Sequence, residues 1–229
     1  MMKKCLFMLM VLAVLGLTAP ANALYLAGDF NGWTSNGQEM TDNLDGTYTA
    51  TVSGLDAGSR HEFKVTDGTW DWARPESGNS WLFADGSGEC TVTFNTNTPG
   101  DGWLPEVNRI GLSTDPGAWT IVGDFTGWGN ADPAWAMDSL GGGMYSLTKT
   151  IAAGGYNWKA TVTGSWDALG WDGRSINAWN AWLELTEEAE VIFTVDAYGG
   201  MIKAEVVPEP ATMTLFGLGF LLTSMRRRK

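Results

Sequence analysis

The sequence of 229 residues is strongly acidic, with 14 Lys and Arg residues, 26 Asp and Glu residues and a net charge of −12 at pH 7. The acidity is concentrated between Leu24 and Val206, where 8 basic residues stand against 25 acidic ones, a net charge of −17. Because such a body repels phosphate groups, its charge excludes nucleic acid as a partner and disfavours anionic membrane surfaces.

The chain begins with the layout of a secretory signal peptide. Two lysines precede an apolar stretch at residues 5–17, and an Ala-Asn-Ala sequence at residues 21–23 supplies a cleavage site of small residues. We expect residues 1–23 to form a signal helix that directs export and is then removed. Because Cys5 would leave with this segment, the mature chain would keep only Cys90 and could form no internal disulfide.

The body of the chain contains the same motifs twice, in the same order. The matched segments are 28–33 with 123–128 (Gly-Asp-Phe-x-Gly-Trp), 63–66 with 158–161, 68–71 with 164–167, and 79–82 with 180–183. The offset between partners grows from 95 to 101 residues, which needs only short insertions in loops rich in Gly, Asp and Ser. This self-similarity predicts two tandem modules, which we call repeat 1 (residues 24–113) and repeat 2 (residues 114–206).

Both repeats have the pattern of β-strands. Short segments rich in β-branched and aromatic residues alternate with polar residues and end at Gly and Asp turns; they include 47–52, 61–66, 90–95, 145–151, 191–195 and 201–206. We therefore predict an all-β chain of two tandem immunoglobulin-like β-sandwich modules. Each repeat, at about 90 residues, is large enough to carry its own core and to fold when expressed alone.

Tryptophan is concentrated in this body, since all 13 lie between Trp33 and Trp182. Trp33 and Trp128 end the Gly-Asp-Phe-x-Gly-Trp segments, and two more tryptophans follow Gly-Thr and Gly-Ser turns. A flat indole suits the C–H face of a sugar ring, while nearby Lys and Asn side chains can hydrogen-bond sugar hydroxyls. The turn tryptophans are therefore candidates for a carbohydrate-binding platform.

Both repeats resemble the α-glucan-associated modules of the glycogen-binding and isoamylase N-terminal type, most closely those attached to pullulanases. The resemblance covers nearly all of residues 24–206 and is carried by the segments at 28–33, 62–65, 67–70 and 78–82. By motif it assigns the sugar contacts to Trp33, Lys64 and Trp70 in repeat 1 and to Trp128, Lys159 and Trp166 in repeat 2. The pullulanase-type pattern adds Asn79 and Asn180. It implies that the chain binds polysaccharide, either α-glucan or the cell's own exopolysaccharide.

The C-terminal tail has three parts. Val207-Pro208-Glu209-Pro210 is followed by 15 uncharged residues, 211–225, and then by a basic cluster at 226–229. As a helix, the uncharged run would reach about 22 Å, short of a hydrocarbon core of ~30 Å, which favours a short transmembrane helix that spans only transiently. Its basic end would stay on the cytoplasmic side.

This tail, residues 207–229, resembles the PEP-CTERM sorting signal of exopolysaccharide-producing Gram-negative bacteria. Pro208, Glu209 and Pro210 form its signature, and a membrane-embedded exosortase processes the signal near them. The resemblance implies exosortase and, transiently, the inner membrane as partners during sorting. It also implies an exported protein at the cell surface or in the extracellular matrix, anchored in the membrane before processing.

Little in the sequence favours an enzyme. His61 is the only histidine, its counterpart in repeat 2 is Tyr156, and no Cys and His cluster has metal-ligand spacing. Cys90 lies in an apolar, β-branched run, where a cysteine is typically a small buried hydrophobe. We predict no catalytic residue, cofactor or metal ion. The alternative to a polysaccharide-binding protein is a structural matrix protein with the same fold and no sugar site.

Overall fold

The computed structural model describes residues 23–208. Within this range the chain consists of antiparallel β-sheets and three short 3-10 helices, at Asp29–Asn31, Asp124–Thr126 and Pro133–Trp135, so the all-β prediction is confirmed. The predicted signal helix lies outside the described residues, and so does the predicted transmembrane helix. In residues 23–208 no helix has the length and apolar character needed to cross a bilayer.

Repeat 1 contains two antiparallel sheets. Its strands are β1 (Tyr25–Gly28), β2 (Gln38–Glu39), β3 (Thr41–Asp42), β4 (Thr47–Val52), β5 (Arg60–Thr66), β6 (Ala73–Arg74), β7 (Ser80–Phe83), β8 (Cys90–Asn95) and β9 (Arg109–Leu112). One sheet has the order β2-β1-β5-β6, with β7 also paired to β5. The other has the order β3-β4-β8-β9.

Repeat 2 has a similar layout, with differences at the two edges of its first sheet. Its strands are β10 (Trp119–Gly123), β11 (Asp138–Gly141), β12 (Met144–Ile151), β13 (Gly154–Val162), β14 (Asp167–Gly170), β15 (Gly173–Ile176), β16 (Ala181–Leu185), β17 (Ala189–Asp196) and β18 (Met201–Val206). The first sheet has the order β10-β13-β14-β15 with β16 paired to β13, and the second has the order β11-β12-β17-β18. The sequence repeat is therefore also a repeat of topology.

The core of each repeat lies between its two sheets. In β8, Cys90, Val92 and Phe94 are buried and alternate with partly exposed residues, as expected for a strand with one face in a core. In repeat 2, β17 supplies the corresponding core residues, among them Phe193. The Phe193 ring packs against the fully buried Trp158 of the opposite sheet in an edge-to-face contact, with ring centroids 5.1 Å apart. Alternating residues thus fill the core from the second sheet of each repeat, whereas β10 and the second half of β13 in the first sheet are buried continuously.

The two repeats also pack against each other. Trp81 of repeat 1 is fully buried, with its ring 6.0 Å from that of Trp119 and the Arg174 guanidinium 4.4 Å above it. Arg174 is itself buried and donates hydrogen bonds to the carbonyls of Ile110 (3.2 Å) and Ala197 (2.5 Å). The contact therefore joins the sheets of both repeats into one continuous hydrophobic cluster.

One loop breaks the symmetry between the repeats. Thirteen residues, 96–108, connect β8 to β9, whereas only four, 197–200, connect β17 to β18. Arg109 holds the long loop by donating to both carboxylate oxygens of Asp101, at 2.7 and 2.8 Å. Leu104 exchanges two backbone hydrogen bonds of 2.9 Å with Ile202 of β18, so the loop lies against repeat 2.

Candidate functional site

The Gly-Asp-Phe-x-Gly-Trp segments form two closely similar turns. In each, a strand ends in a single turn of 3-10 helix, and the next glycine, Gly32 or Gly127, takes the left-handed conformation with φ of 64° or 63°. The tryptophan that follows is left-handed too, with φ of 58° at Trp33 and 64° at Trp128. A bulky residue with positive φ is rare, and such strain is concentrated at functional sites.

Polar side chains close these turns in the same way despite a sequence difference. The amide of Gly28 donates to Asn31 Oδ1 at 2.9 Å, and the amide of Gly123 donates to Thr126 Oγ1 at 3.0 Å. The exchange of Asn31 for Thr126 between the repeats is conservative, because either side chain offers an oxygen at the same place.

An aspartate in each turn fastens it to the central strand of the sheet. Asp124 Oδ2 accepts from the Asn157 amide at 2.7 Å, while its Oδ1 accepts from the Trp128 indole N–H at 3.2 Å. The hydrogen bond from the Asn157 amide is the main reason that the pKa of Asp124 lies below its usual range. Asp124 therefore orients the Trp128 ring, a positioning role that the sequence motif did not single out.

In repeat 1 the equivalent aspartate, Asp29, contacts the single histidine of the chain, His61. Asp29 Oδ1 lies 2.7 Å from His61 Nδ1, and its Oδ2 accepts from the Glu62 amide at 3.0 Å. The other ring nitrogen of His61 lies 2.8 Å from the Ser59 hydroxyl. Both ring nitrogens are thus engaged in holding the turn.

In repeat 2 the structure brings three of the predicted site residues together. Lys159 is only 7% exposed, and its Nζ lies 5.8 Å from the ring centroids of both Trp128 and Trp166. The same nitrogen donates to the carbonyl of Ala178 at 2.8 Å. Burial lowers the pKa of Lys159, and the nearby Asp172 partly offsets this. We call Trp128, Lys159 and Trp166 the repeat 2 triad.

Repeat 1 arranges its corresponding residues more loosely. Lys64 Nζ donates to the carbonyl of Pro75 at 2.6 Å, and burial lowers the pKa of this lysine as well. Trp33 is half-buried and Trp70 is exposed. Among residues 23–208, no cation–π contact links Lys64 to either ring. Of the two triads, only that of repeat 2 therefore places its lysine against both indoles.

The two predicted asparagines have different environments. Asn79 donates to Glu62 Oε2 at 2.9 Å, and its carbonyl accepts from the Ile176 amide of repeat 2 at 2.9 Å. The bond from Asn79 is the main reason that the pKa of Glu62 is lowered. Asn180 is exposed, immediately before β16. Asn79 is thus engaged at the contact between the repeats, whereas Asn180 faces solvent.

Trp81 and Trp182 show why residues at equivalent positions in the two repeats differ in exposure. They occupy the same place in the sheet, since Trp81 pairs with Glu62 and Trp182 pairs with Asn157, the residue that matches Glu62. Trp81 is 0% exposed, whereas Trp182 is 60% exposed. Repeat 2 covers the face of repeat 1 that carries Trp81, and the corresponding face of repeat 2 is open.

A second aromatic feature lies beside the repeat 2 triad and has no counterpart in repeat 1. The rings of Trp171 and Trp179 stack nearly parallel, at 11°, with centroids 6.1 Å apart. The Trp171 amide donates to the Trp179 carbonyl at 2.8 Å, and Asp172 Oδ1 accepts from the Trp179 amide at 2.7 Å. Only glycine fits at position 170, because a Cβ there would lie 2.0 Å from the Trp179 carbonyl oxygen.

Sequence reasoning missed this pair because it searched for residues present in both repeats. The available signal was the density of tryptophan between Trp166 and Trp182, where four occur within 17 residues. Within the part of the chain that the structure describes, no group of three or more His, Cys, Asp or Glu residues is placed to hold a metal ion.

Comparison with known proteins bears mainly on the C-terminal tail. Curated proteins gave no significant match to the sequence. Among solved structures, SusF from Bacteroides thetaiotaomicron aligns with 84% of this chain at 20% identity and a TM-score of 0.35, and the chain spans half the length of that protein. Residues 206–229 match the family described as the PEP-CTERM protein-sorting motif. The chain therefore ends in a PEP-CTERM motif, which marks an exported protein that exosortase sorts.

Proposed function

We propose that this exported protein binds polysaccharide through its two repeats and catalyses no reaction. The observation that carries the proposal is the repeat 2 triad, in which a buried lysine lies between an indole at a strained turn and an exposed indole. Residues 24–113 and 114–206 are the two modules of this proposal. Its location is the cell surface or the extracellular matrix.

The triad combines the two interactions that a sugar ring needs. The indole of Trp166, 39% exposed, offers a flat apolar face to the C–H groups of the ring. Lys159 carries three N–H donors, and the Ala178 carbonyl takes one of them, which leaves donors for sugar oxygens. Because the lysine is held by that bond and by the two rings, it loses little freedom when a ligand binds.

The charge of the protein favours a neutral polysaccharide. The net charge of −17 between Leu24 and Val206 repels polymers rich in uronate or phosphate. α-Glucan is the first candidate because of the motif resemblance, and a neutral exopolysaccharide of the host is the second. The looser arrangement around Lys64 makes repeat 1 the weaker of the two proposed sites.

Affinity electrophoresis of the full chain in gels containing glycogen, amylopectin, cellulose or host exopolysaccharide tests this proposal. We expect retardation in at least one gel, a marked loss of retardation for Trp166→Ala, and a smaller loss for Trp70→Ala. Tyr198→Ala is the matched control, because it removes an exposed aromatic ring from the segment that connects β17 and β18 in the other sheet of repeat 2. If the folded protein is retarded by none of the four polymers, the structural matrix protein becomes the better proposal.

A further inference from the structure

A cavity of about 580 Å³ opens between the two repeats, beside the repeat 2 triad but lined by none of its residues. Three segments form it: residues 74–77 of repeat 1, residues 105–108 of the long β8–β9 loop, and the stretch of repeat 2 that carries Trp171 and Trp179. Its volume lies within the range of about 300–1,000 Å³ that is typical of ligand pockets. Since the long loop is specific to repeat 1, the cavity has no symmetric counterpart.

The apolar part of this cavity is the stacked pair of Trp171 and Trp179. The two side chains are 54% and 52% exposed; Trp171 lies in the turn between β14 and β15, and Trp179 lies in the segment after β15. Their nearly parallel rings form an aromatic surface next to the concave wall. Exposed aromatic residues of this kind, at the edge of a pocket, are typical of ligand contacts.

The polar part of the cavity is acidic. Glu76, Glu106 and Asp172 line it, and Arg74 is the one basic residue among the lining side chains described, with its guanidinium 3.1 Å from Glu76. The lining therefore has a net charge of −2. Carboxylates accept hydrogen bonds from sugar hydroxyls, and the same charge repels uronates, sulfates and phosphates.

The cavity walls are held in place by close packing. A Cβ at Gly173 would lie 3.0 Å from Pro105 Cγ, so the hairpin and the long loop approach tightly. Arg109 anchors the same loop through its 2.8 Å bond to the Pro105 carbonyl. The walls are thus positioned before a ligand arrives, which reduces the free-energy cost of binding.

We propose that this inter-repeat cavity is a third glycan site, which takes a short segment of a neutral polysaccharide against the Trp171 and Trp179 rings. The inference rests on the proposed function for its ligand class but uses none of the triad residues. It places a binding site where the two repeats meet, in line with the preference of ligand sites for domain interfaces.

Calorimetric titration of the full chain with maltoheptaose, cellohexaose and an oligogalacturonate of similar length tests the inference. We expect a neutral oligomer to bind, and the Trp171→Ala/Trp179→Ala double variant to lose one class of site or about tenfold in affinity. Trp166→Ala should lose a different class of site, and Tyr198→Ala should bind as the wild type does, because Tyr198 is exposed and lines neither site. Oligogalacturonate should not bind to the wild type.

A charge-reversal variant tests the cavity without altering the indoles. Glu76 and Glu106 are exposed and line the cavity, so the Glu76→Lys/Glu106→Lys variant should leave the fold intact, change the net charge of the lining from −2 to +2 and create measurable binding of oligogalacturonate. The inference is overturned if the double tryptophan variant binds like the wild type, if Tyr198→Ala weakens binding equally, or if the Glu76→Lys/Glu106→Lys variant binds no oligogalacturonate.

The experiment separates this inference from the proposed function. If only Trp166→Ala loses binding, the triad is supported as a binding site and the cavity site is overturned. If only the Trp171→Ala/Trp179→Ala variant loses binding, the cavity site is supported and the triad is overturned. Binding of none of the three oligomers by folded wild-type protein would overturn both.

Discussion

At the scale of single residues, the strained tryptophan turns are the clearest sign of a binding role. Trp128 has a positive φ, and its indole N–H is held by Asp124 rather than by the core. The fully buried Trp158, in contrast, packs on Phe193. Two tryptophans within 31 residues of each other thus have different physical roles, one at the surface and one in the core.

Truncation of Trp166 and Trp158 should distinguish these roles. Trp166→Ala should weaken polysaccharide binding by about 1–3 kcal/mol with little change in Tm, because its indole is partly exposed. Trp158→Ala should lower the free energy of unfolding by about 3–5 kcal/mol, because it leaves a cavity in the core. Thermal unfolding and affinity electrophoresis on the same samples measure both effects. An equal loss of stability in both variants would assign Trp166 to the core.

A buried tyrosine at the junction between the repeats sets a pH dependence. The Tyr145 hydroxyl donates to Asp115 Oδ2 at 2.5 Å, and burial together with this carboxylate raises the pKa of Tyr145 to about 12. The unfolded value is about 10, so the folded state holds the proton more tightly. The stabilisation is therefore complete below pH ~10 and is lost as the pH rises from ~10 to ~12.

Tyr145→Phe tests this pH dependence, because the variant has no hydroxyl to titrate. Between about pH 9 and pH 12, a range that includes both pKa values, the free energy of unfolding of the wild type should fall more steeply than that of the variant. Urea titrations at a series of pH values measure the two slopes. Parallel slopes would show that Tyr145 does not titrate differently in the folded and unfolded states.

At the scale of elements, an ion pair connects a strand of repeat 1 to a strand of repeat 2. Arg60 of β5 donates to both carboxylate oxygens of Asp167 in β14, at 2.6 and 2.5 Å, and Asp167 is buried. This bond is the main cause of a raised pKa at Arg60. A bidentate pair of this kind fixes orientation as well as distance.

Asp167→Asn should destabilise the protein by about 1–3 kcal/mol, because Arg60 keeps its charge and loses its bidentate partner. Glu205→Gln is the control, since it breaks a surface pair with Lys203 and should change stability by less than about 0.5 kcal/mol. Urea denaturation measures both variants. Similar values for the two would mean that the contact between β5 and β14 contributes little to stability.

At the scale of the whole molecule, the contact between the repeats bears on the expectation that each folds alone. Each repeat has two complete sheets, which supports independent folding. Separation would nevertheless expose Trp81 and remove Arg174 from above it. We therefore expect both halves to fold, but with lower stability than they have in the full chain.

Calorimetry of the full chain and of residues 24–113 and 114–206 tests this expectation. The full chain should unfold in one cooperative transition, and each half should melt at a lower temperature. NMR spectra of each half should show dispersed amide resonances, as expected for a folded domain. Trp81→Ala in the full chain should reproduce part of the loss. Halves that melt at the temperature of the full chain would show that the contact does not couple the repeats.

Sorting is a further property of the whole chain. The PEP-CTERM match at residues 206–229 predicts that the mature surface form lacks roughly the last 20 residues, as for other sorting signals that are removed. Glu209 and Pro210 of the signature lie outside the described residues, while Pro208 is the last residue within them. Intact-mass analysis of surface protein measures the end of the chain. A mass that still includes Lys229 would favour a simple anchor.

The sequence by itself determined the strands and their repetition. Period-two alternation in segments such as 90–95 is a local property, because a strand in a half-buried sheet must send every second side chain into the core. The Gly-Asp-Phe-x-Gly-Trp turns were equally readable, since glycine takes the left-handed conformation more readily than any other residue. Both repeats consequently share most of their strand order, although β2 occurs only in repeat 1 and β15 only in repeat 2. The sorting tail was readable because its signal lies in the order of residues.

Only the tertiary structure decided which repeated residues are available to a ligand. Trp81 and Trp182 have similar local sequences and the same strand register, but repeat 2 covers Trp81 and leaves Trp182 exposed. Trp171 and Trp179 have no counterparts in repeat 1, so comparison of the two repeats could not identify them. The cavity beside them depends on a loop of repeat 1. Exposure depends on which surfaces pack together, and those contacts join residues far apart in sequence, where no local pattern records them.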